Sequence, residues 1–296
     1  MQPYPFVIAD VFTETLFSGN QLAVVTDARG LTPQQMQNIA RELNFAETSF
    51  VLPADAQRAR PAIRIFTPRL ELPFAGHPTI GTAAVLSFLK LSPPAEADGV
   101  LVYEEKIGPI RLRVRPAQGR TVFAELEITA PLVSGPSPAL AAVAAAIGLP
   151  QNAIRTSWCA GIGIPFCFVH LADEQAVDAV IVDRKLWEAT LSTCPPQVFV
   201  FSGAFEDGGT LYARMLAPAF GIEEDAATGS ACVGLVASLA ALSTLREAVL
   251  GLTIHQGVAM GRPSLLQVFA HRIDGRTGHV RLGGHSVMVA EGSLTV

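Results

Sequence analysis

The chain contains the same short pattern of residues twice. Arg64-Ile-Phe-Thr-Pro68 matches Arg214-Met-Leu-Ala-Pro218 in spacing. Gly76-His-Pro-Thr-Ile-Gly81 matches Gly229-Ser-Ala-Cys-Val-Gly234, and a run of small apolar residues follows each of them. Three more residues separate the proline from the first glycine in the second copy. Two matches in the same order favour a duplicated unit over coincidence, and the copies are too long to be solenoid repeats.

Hydrophobic patterning around each copy is typical of a mixed α/β (α+β) fold with few helices. Thr32 and Pro33 predict the cap and first residue of a helix over Thr32–Leu43. Further helices are predicted at Pro78–Leu89, near Asp183–Thr190 and at Ser230–Leu242, and strands at 6–12, 21–26, 48–52, 62–66, 166–171, 197–202 and 211–216. The sequence therefore predicts two similar lobes facing each other, with the ligand in the cleft between them.

The first glycine of each copy has a physical meaning. Gly76 and Gly229 each end a loop and start a predicted helix, where backbone N–H groups are left free at the positive end. Two such helix starts that converge on one cleft would bind a carboxylate or stabilise an enolate-like anion. The alternative is that the small residues only let a helix pack closely against a sheet.

Composition and charge narrow the class of ligand. Half of the 296 residues are apolar and only 16% are charged, so the chain can build a substantial core as one large domain or two ordinary ones. The net charge of -5 is opposite in sign to that of a nucleic-acid-binding surface, and Lys and Arg residues form no run. We therefore expect a small-molecule ligand and neither nucleic acid nor a membrane as partner.

The expected cellular location rests on the first residues, the lengths of the apolar segments and the spacing of the cysteines. The first residues lack the basic segment of a signal peptide, and the apolar runs at 139–149 and 231–242 are shorter than the roughly 20 residues that span a bilayer. The four cysteines (Cys159, Cys167, Cys194 and Cys232) show no C-x-x-C spacing. We expect buried thiols in a cytoplasmic protein.

Several common catalytic motifs are absent from the sequence. Gly76-x4-Gly81-Thr82 lacks the lysine of a phosphate-binding loop, and no G-x-G-x-x-G follows a predicted strand. Neither H-E-x-x-H nor G-x-S-x-G occurs, and the six histidines do not cluster with metal-ligand spacing. We therefore expect no metal site and no cofactor, which favours acid–base chemistry by side chains alone.

Three polar clusters lie among apolar residues. Glu47 stands between a helix end and an apolar strand, where partial desolvation would raise its pKa and suit it to proton transfer. His77 lies at one helix start, and the acidic turn from Glu223 to Ser230 leads into the other. A solvated surface group remains the alternative for Glu47, and helix capping for Asp225 and Ser230. Spacing alone does not join these clusters into one site.

Five ordered motifs resemble the phenazine-biosynthesis-like (PhzF-like) family. They cover nearly the whole chain and are Phe17-Ser-Gly-Asn20, the segment Asn44–Val51, Phe66-Thr-Pro68 together with Phe74–Ala83, Glu224-Asp-Ala-Ala-Thr-Gly-Ser-Ala231 and Gln256-Gly-x-x-Met260-Gly-Arg-Pro-Ser264. The resemblance implies the fold of diaminopimelate epimerase, in which each of two similar lobes is a sheet wrapped around a central helix. It also implies homodimers.

The resemblance assigns roles to six residues. Glu47 matches the glutamate that shifts a proton in the enzyme for which the family is named. The groups that bind its ligand fall on His77, Asp225 and Ser230, and the glycines that lend backbone groups fall on Gly76 and Gly229.

Racemases of the wider superfamily work with two opposed cysteines, each of which precedes the glycine of a helix start. Here Ala75 and Thr228 occupy those positions, so two-thiol racemisation is excluded. The chain departs from the family at Ala226 and at Gln21, where a proline is usual, and either change could reshape the pocket. The phenazine precursor itself is therefore not implied as the substrate.

We place an N-terminal lobe at 1–130, to which a C-terminal strand at about 288–296 returns, and a C-terminal lobe at 131–287. The predicted function is a cofactor-independent isomerase in which Glu47 moves a proton on a small carboxylate-bearing metabolite. A hydrolase or lyase that uses the same carboxylate, and a non-catalytic protein that binds a small molecule, are the alternatives.

Overall fold

The chain forms two compact units. The computed structural model describes residues 2–56, 59–96, 98–190, 195, 197–205, 208–220 and 222–296. The first unit comprises Met1–Glu127 and Gly283–Val296, and the second comprises Ile128–Leu282. Each unit contains its own strands, helices and buried residues.

The elements follow one another as strands with a few helices between them. The first part of the chain forms β1 (Pro3–Val11), β2 (Asn20–Val25), α1 (Pro33–Leu43), β3 (Glu47–Leu52), β4 (Ala62–Phe66), β5 (Glu71–Leu72), α2 (Gly76–Phe88), β6 (Leu101–Glu105), β7 (Gly108–Val114) and β8 (Thr121–Ile128). The rest forms β9 (Leu132–Gly135), α3 (Leu140–Ala146), β10 (Ile154–Ile162), β11 (Ile164–Leu171), α4 (Glu174–Asp178), α5 (Arg184–Thr190), β12 (Val198–Ser202), β13 (Gly209–Ala217), β14 (Ile222–Asp225), α6 (Gly229–Ala241), β15 (Ala248–Gln256), β16 (Ser264–Ile273) and β17 (Arg276–Thr295). Single 3₁₀ turns occur at Gln151–Ala153 and Pro218–Phe220.

The same series of strand pairings occurs in both units. In the first unit β1 pairs antiparallel with β2, β2 parallel with β3, β3 antiparallel with β4, and β4 antiparallel with β5 and parallel with β6, which pairs antiparallel with β7. In the second unit β10 to β16 repeat this series, with β13 in the place of β4. The end of β17 pairs antiparallel with β1. The repeated motifs of the sequence therefore stand at the same points of the same topology.

Each unit holds one helix that is apolar on nearly every side. In α2 every residue from Gly76 to Leu86 is buried, and this helix packs on β1, β2, β3 and β7. Helix α6 packs on β10, β11, β15 and β16 in the same way. A helix without a polar face must bury its whole surface, and the strands of its unit surround it.

The second glycine of each repeated motif lets its helix approach the sheet. A Cβ on Gly81 would lie 2.6 Å from side-chain carbons of both Leu22 and Val11. A Cβ on Gly234 would lie 3.0 Å from the Cα of Gly161. The close-packing alternative therefore holds for the second glycines, while the first glycines begin the helices.

Helix α1 begins as the sequence predicts. Thr32 accepts a hydrogen bond from the backbone N–H of Gln35, whose side chain returns a bond to the backbone of Thr32, and Pro33 is the first helical residue. Its buried residues are Met36, Ile39 and Ala40, and Asn44 ends it in a left-handed conformation. The chain therefore turns sharply just before Glu47.

A partly buried bidentate ion pair between an arginine and a glutamate recurs in the two units. Arg64 donates from Nε and Nη2 to the two carboxylate oxygens of Glu71, both at 2.7 Å. Arg214 donates likewise to Glu224, at 3.1 and 2.8 Å. The hydrogen bonds from Arg64 hold the pKa of Glu71 below its usual range, against the effect of burial. Glu71 and Glu224 each lie five residues before the first glycine, so these pairs anchor the loops that lead into α2 and α6.

Some helices and strands begin or end at residues other than the predicted ones, mainly where they contact distant segments of the chain. Helix α2 begins at Gly76, two residues earlier than predicted, and the first strand begins at Pro3 because β17 pairs with it there. The three extra residues of the second copy fall between Pro218 and Glu224, where a 3₁₀ turn forms. Cys159, Cys167 and Cys232 are buried and form no disulfide, while Cys194 lies outside the described residues.

Replacing Arg214 with lysine tests the partly buried ion pair with Glu224. Lysine keeps the charge but loses the planar fork, and one ammonium cannot replace the five hydrogen bonds that the three guanidinium nitrogens make to Glu224 and to the carbonyls of Val177, Asp178 and Val180. We expect Arg214→Lys to lower the free energy of unfolding by about 1–3 kcal/mol in urea titrations. Arg246→Lys, in the exposed pair with Asp274, is the matched control and should leave it unchanged. Equal effects would contradict the anchoring role.

Candidate active site

Glu47 is the first residue of β3 and is only partly exposed. It pairs with Leu22 of β2, and 17% of its side chain is accessible to solvent. The left-handed cap at Asn44 turns the chain from α1 into this strand. Glu47 is therefore not the solvated surface group that a lone glutamate in a loop usually is.

His77 is the second residue of α2 and is almost completely buried, with 6% of its surface exposed. Burial lowers the pKa of the ring to about 3, against a smaller raising effect from a hydrogen bond to the backbone of Gln21. A hydrogen bond that favours the protonated ring needs a backbone acceptor, and Nε2 has no partner among the described residues, so Nδ1–H donates to the Gln21 carbonyl. The neutral ring therefore presents an unprotonated Nε2.

Glu47 and His77 lie next to each other in the first unit. His77 Nε2 is 3.5 Å from Glu47 Oε2, which is too long for a hydrogen bond, and the neutral ring makes no ion pair. A nitrogen lone pair and a carboxylate oxygen at this separation are two acceptors that face one region. They fit a ligand that offers an N–H or O–H group, or a proton in transfer.

The start of α2 adds an electrostatic element beside this pair. Ala75 is the N-cap residue and provides no side-chain cap, and Pro78 has no N–H group. The backbone amides of Gly76 and His77 therefore lie at the positive end of a thirteen-residue helix. This end would stabilise negative charge on a ligand held by the two side chains.

In the second unit, a short loop brings Asp225 close to the start of α6. Asp225 ends β14, and its Oδ2 accepts a hydrogen bond of 2.6 Å from the hydroxyl of Thr228. Thr228 is the N-cap residue, and its side chain makes no capping bond. Gly229 and the partly exposed Ser230 are the first two residues of α6.

The side chain of Gln256 is completely buried and forms hydrogen bonds with this loop. Its amide nitrogen donates to the backbone carbonyl of Asp225 at 2.7 Å and to the Thr228 hydroxyl at 3.0 Å. Its carbonyl accepts from the backbone N–H of Thr228 at 3.0 Å. The next residue, Gly257, has a φ of +74°, and a Cβ there would lie 2.6 Å from the Ala226 carbonyl oxygen. Gln256 and Gly257 therefore fix the loop that presents Asp225.

The two departures from the family motifs leave these contacts intact. Gln21 contacts His77 through its backbone carbonyl, a group that a proline would also supply. Ala226 is buried against Gly257, and the loop is held by the hydrogen bonds of Gln256. Neither difference alters the set of polar groups at the two helix starts.

Thiol chemistry is unsupported at these helix starts. Cys232 is completely buried inside α6, and burial together with the nearby charge of Asp225 raises the pKa of its thiol far above the usual range. Ala75 and Thr228 occupy the N-cap positions. Cys232 is a packing residue, as predicted.

The described residues form neither a cluster of metal ligands nor a membrane-spanning helix. Across residues 2–296, apart from the gaps given above, no three His, Cys, Asp or Glu side chains come together as a set of metal ligands. Within the same residues, no helix has both the length and the hydropathy that crossing a bilayer requires.

Comparison with known proteins decides the family. The model of the phenazine biosynthesis-like protein family matches residues 9–292. The chain belongs to the PhzF-like family. The structure of a PhzF-family protein from Bacillus anthracis superposes with a TM-score of 0.86 at 23% identity and full coverage of both chains. A probable proline racemase from Agrobacterium radiobacter superposes at 0.64 and 15% identity, covering 99% of this chain and 93% of the other. The predicted α+β fold of the diaminopimelate epimerase type is confirmed.

Relatives of this PhzF-like chain are named as isomerases. An uncharacterized isomerase from Mesorhizobium japonicum is 35% identical, with full coverage of both chains. The trans-2,3-dihydro-3-hydroxyanthranilate isomerase of Pseudomonas fluorescens is 34% identical over 98% of this chain and 99% of its own length. The prediction of an enzyme of the isomerase class is confirmed at the level of the family.

The structure also adds residues that the sequence did not identify. Gln256 lies within a family motif, but the motif did not indicate that its side chain bonds to the backbone of Asp225. The ion pairs of Arg64 and Arg214 could have been found, because each arginine opens the first repeated motif and a glutamate precedes each helix start at the same distance. Glu105 bonds to the first turn of α2, and nothing in the sequence pointed to it.

Replacing Gln256 with glutamate tests how the Asp225 loop is held. The change keeps the shape but removes two buried donors and places a carboxyl beside the Asp225 carbonyl and the Thr228 hydroxyl. We expect a loss of about 2–4 kcal/mol in the free energy of unfolding, measured in urea. Gln267→Glu, on the neighbouring strand at a partly exposed position, is the control and should change little. If both variants behaved alike, Gln256 would not be holding the loop.

The charge state of His77 is open to a direct test. Its pKa of about 3 lies below the ordinary 6.5, so the folded chain binds fewer protons than the unfolded chain between these values. The neutral ring therefore contributes stability above pH 6.5 that is lost as the pH falls toward 3. Imidazole NMR signals of His77 should stay those of a neutral ring with Nδ1 protonated from pH 7 to pH 5. Protonation of the ring at or above pH 6.5 would contradict a neutral, buried His77.

Proposed function

We propose that the chain is a cofactor-independent isomerase in which Glu47 moves a proton on a small carboxylate-bearing metabolite. The observation that carries the proposal is the pair formed by Glu47 and neutral His77 at the start of α2, with 3.5 Å between their nearest polar atoms. Two acceptors beside a positive helix end suit a substrate that carries both a hydrogen-bond donor and an acid group.

The reaction is a proton shift between two carbons. Glu47 takes a proton from a carbon next to an activating group, so that the C–H electron pair moves into the adjacent π system. The same carboxyl group then returns the proton at another carbon of that system, and the double bond changes position. A partly buried carboxyl group suits this exchange, because the side chain must both accept and release a proton.

His77 and the helix start give the substrate its orientation. The lone pair of His77 Nε2 accepts from an amino or hydroxyl group of the substrate. The backbone N–H groups of Gly76 and His77 oppose the negative charge that develops when the C–H bond breaks. Because the ring is neutral, it does not compete with Glu47 as an acid near neutral pH.

Asp225, Gly229 and Ser230 complete the proposed set of substrate-binding residues. Their support is the matching position of the two glycines in the repeat and the fixed loop that Gln256 maintains at the start of α6. The Asp225 carboxylate would accept from a substrate amino or hydroxyl group, and the Ser230 hydroxyl can donate or accept. The homodimer and the cytoplasmic location expected from the sequence stay predictions.

The substrate class is proposed from chemistry and from the relatives. Three relatives at 33–35% identity are named trans-2,3-dihydro-3-hydroxyanthranilate isomerase. That compound has a carboxylate, an amino group and a hydroxyl group on a ring with conjugated double bonds, which are the groups that the proposed site would bind. We propose a cyclic or conjugated amino or hydroxy carboxylate as substrate and use this compound as the first probe.

The Glu47→Gln variant tests the catalytic role. The amide keeps the size of the side chain but cannot accept a proton, so turnover of the probe should fall by about 10²–10⁴-fold. Exchange of substrate hydrogen with deuterium oxide should fall in parallel. Glu42→Gln, an exposed glutamate of α1, is the matched control and should keep full activity.

The outcomes separate this proposal from its alternatives. Product that has the molecular formula of the substrate, apart from exchanged hydrogen, supports the proposal. Products that have gained water or lost a group would show the hydrolase or lyase, and binding without exchange in the wild-type protein would show a binding protein. Full activity of Glu47→Gln would contradict the role of Glu47.

A further inference from the structure

Glu105 is a buried carboxyl group that the proposed reaction does not use. It is the last residue of β6, opposite Gly108 of β7, and only 8% of it is exposed. Its Oε1 lies 2.6 Å from the hydroxyl of Thr79 in the first turn of α2. Its Oε2 is buried and has no partner among the described residues. A carboxylate in this position would lack the charge partners that buried acids need.

The hydrogen atoms around Thr79 decide the charge of Glu105. The Thr79 hydroxyl lies 2.7 Å from the Ala75 carbonyl oxygen as well as 2.6 Å from Glu105. The hydroxyl has one hydrogen, and a carbonyl oxygen has none to give. If Thr79 donates to Ala75, the second short contact is a hydrogen bond only when Glu105 supplies the proton. Both contacts are satisfied when the carboxyl group is neutral.

The electrostatic surroundings favour the same state. Burial raises the pKa of Glu105 to about 8 even when the Thr79 hydroxyl is taken to donate to the carboxylate, which by itself would lower the pKa. The charged neighbours in sequence are engaged elsewhere, since Lys106 donates to Glu71 and Glu104 pairs with Arg60. On the facing helix, His77 is neutral, and the opposing residue of β7 is Gly108.

Glu105 is linked to the proposed site through two hydrogen bonds. Thr79 joins it to the carbonyl of Ala75, which is the N-cap residue of α2. Gly76 and His77 follow Ala75 directly and carry the amides and the ring of the proposed site. The cap has no side-chain bond of its own, so this connection holds the start of the helix from inside the unit.

We propose that Glu105 is a positioning residue that, as a neutral carboxylic acid, fixes the first turn of α2 through Thr79. The consequence for catalysis rests on the proposed function of Glu47 and His77. Ionisation of Glu105 would leave Thr79 to choose between two acceptors and would loosen the backbone of Ala75 and Gly76. Glu105 therefore sets an alkaline limit on the site without touching the substrate.

Protonation can be measured without any substrate. The infrared difference between wild-type protein and Glu105→Gln at pH 7 should contain the C=O stretch of a protonated carboxyl group, which the Glu104→Gln control lacks. The amide NMR shifts of Gly76 and His77 should titrate near pH 8 in the wild type and not in Glu105→Gln. An ionised Glu105 at pH 7 would overturn the proposal.

The pH dependence of stability provides a second test of the protonation state of Glu105. The pKa of Glu105 is higher in the folded chain than its ordinary value of 4.5, so its contribution is full below pH 4.5 and is lost as the pH rises toward 8. The thermal midpoint of the wild type should therefore fall, relative to that of Glu105→Gln, by several degrees across this range. A constant difference would overturn the proposal.

Activity distinguishes positioning from a general structural role. The glutamine amide can still donate to Thr79, so the turnover of trans-2,3-dihydro-3-hydroxyanthranilate by Glu105→Gln should stay within about threefold of the wild-type value at pH 7. The variant should retain this turnover at pH 9, where the turnover by the wild type falls about tenfold. Thr79→Val, which removes the hydrogen bonds between Glu105 and the Ala75 carbonyl, should lower turnover at every pH by at least about tenfold. Equal alkaline loss in wild type and Glu105→Gln would overturn the proposal. If no variant turned over this probe, the proposed substrate would be wrong, and the infrared and NMR results would still decide the state of Glu105.

Discussion

The nearly complete burial of two apolar helices is the constraint on which the rest of the structure depends. Neither α2 nor α6 has a polar face, so each can form only inside a set of strands that covers it. The glycines at positions 81 and 234 bring each helix close to strands that a larger residue would push away. The chain therefore builds the same series of strand pairings twice, once around each helix.

That constraint also explains where polar chemistry can occur. The buried flanks of α2 leave polar groups few positions, and its start is one where backbone N–H groups need partners. Burial keeps His77 neutral, and the adjacent strands bring Glu47 to within 3.5 Å of it. The ion pair of Arg64 and Glu71 holds the loop before this helix start, and Arg214 and Glu224 do the same before α6. Rigid surroundings of this kind keep catalytic groups in place.

The sequence predicted those features that depend on local residues. Thr32, Pro33 and the spacing of apolar residues sufficed for α1, and the glycines marked both helix starts. Contacts between distant segments could not be read in the same way. The approach of Glu47 to His77 depends on strand β2, in which Leu22 pairs with Glu47 and Gln21 bonds to His77. The bonds of Gln256 to Asp225 and of Glu105 to Thr79 join segments more than twenty residues apart, and hydrophobic periodicity carries no information about them.

The central claim is that Glu47 and His77 face the reacting part of one small substrate. A crystal structure of the protein with a stable aromatic analogue of the probe, bearing the same carboxylate, amino and hydroxyl groups, tests it most directly. The account predicts a ligand N–H or O–H group within hydrogen-bond distance of His77 Nε2, the Glu47 carboxyl group against a ring carbon, and negative charge at the start of a helix. A ligand bound away from Glu47 and His77, or held with its carboxylate against them, would contradict the account.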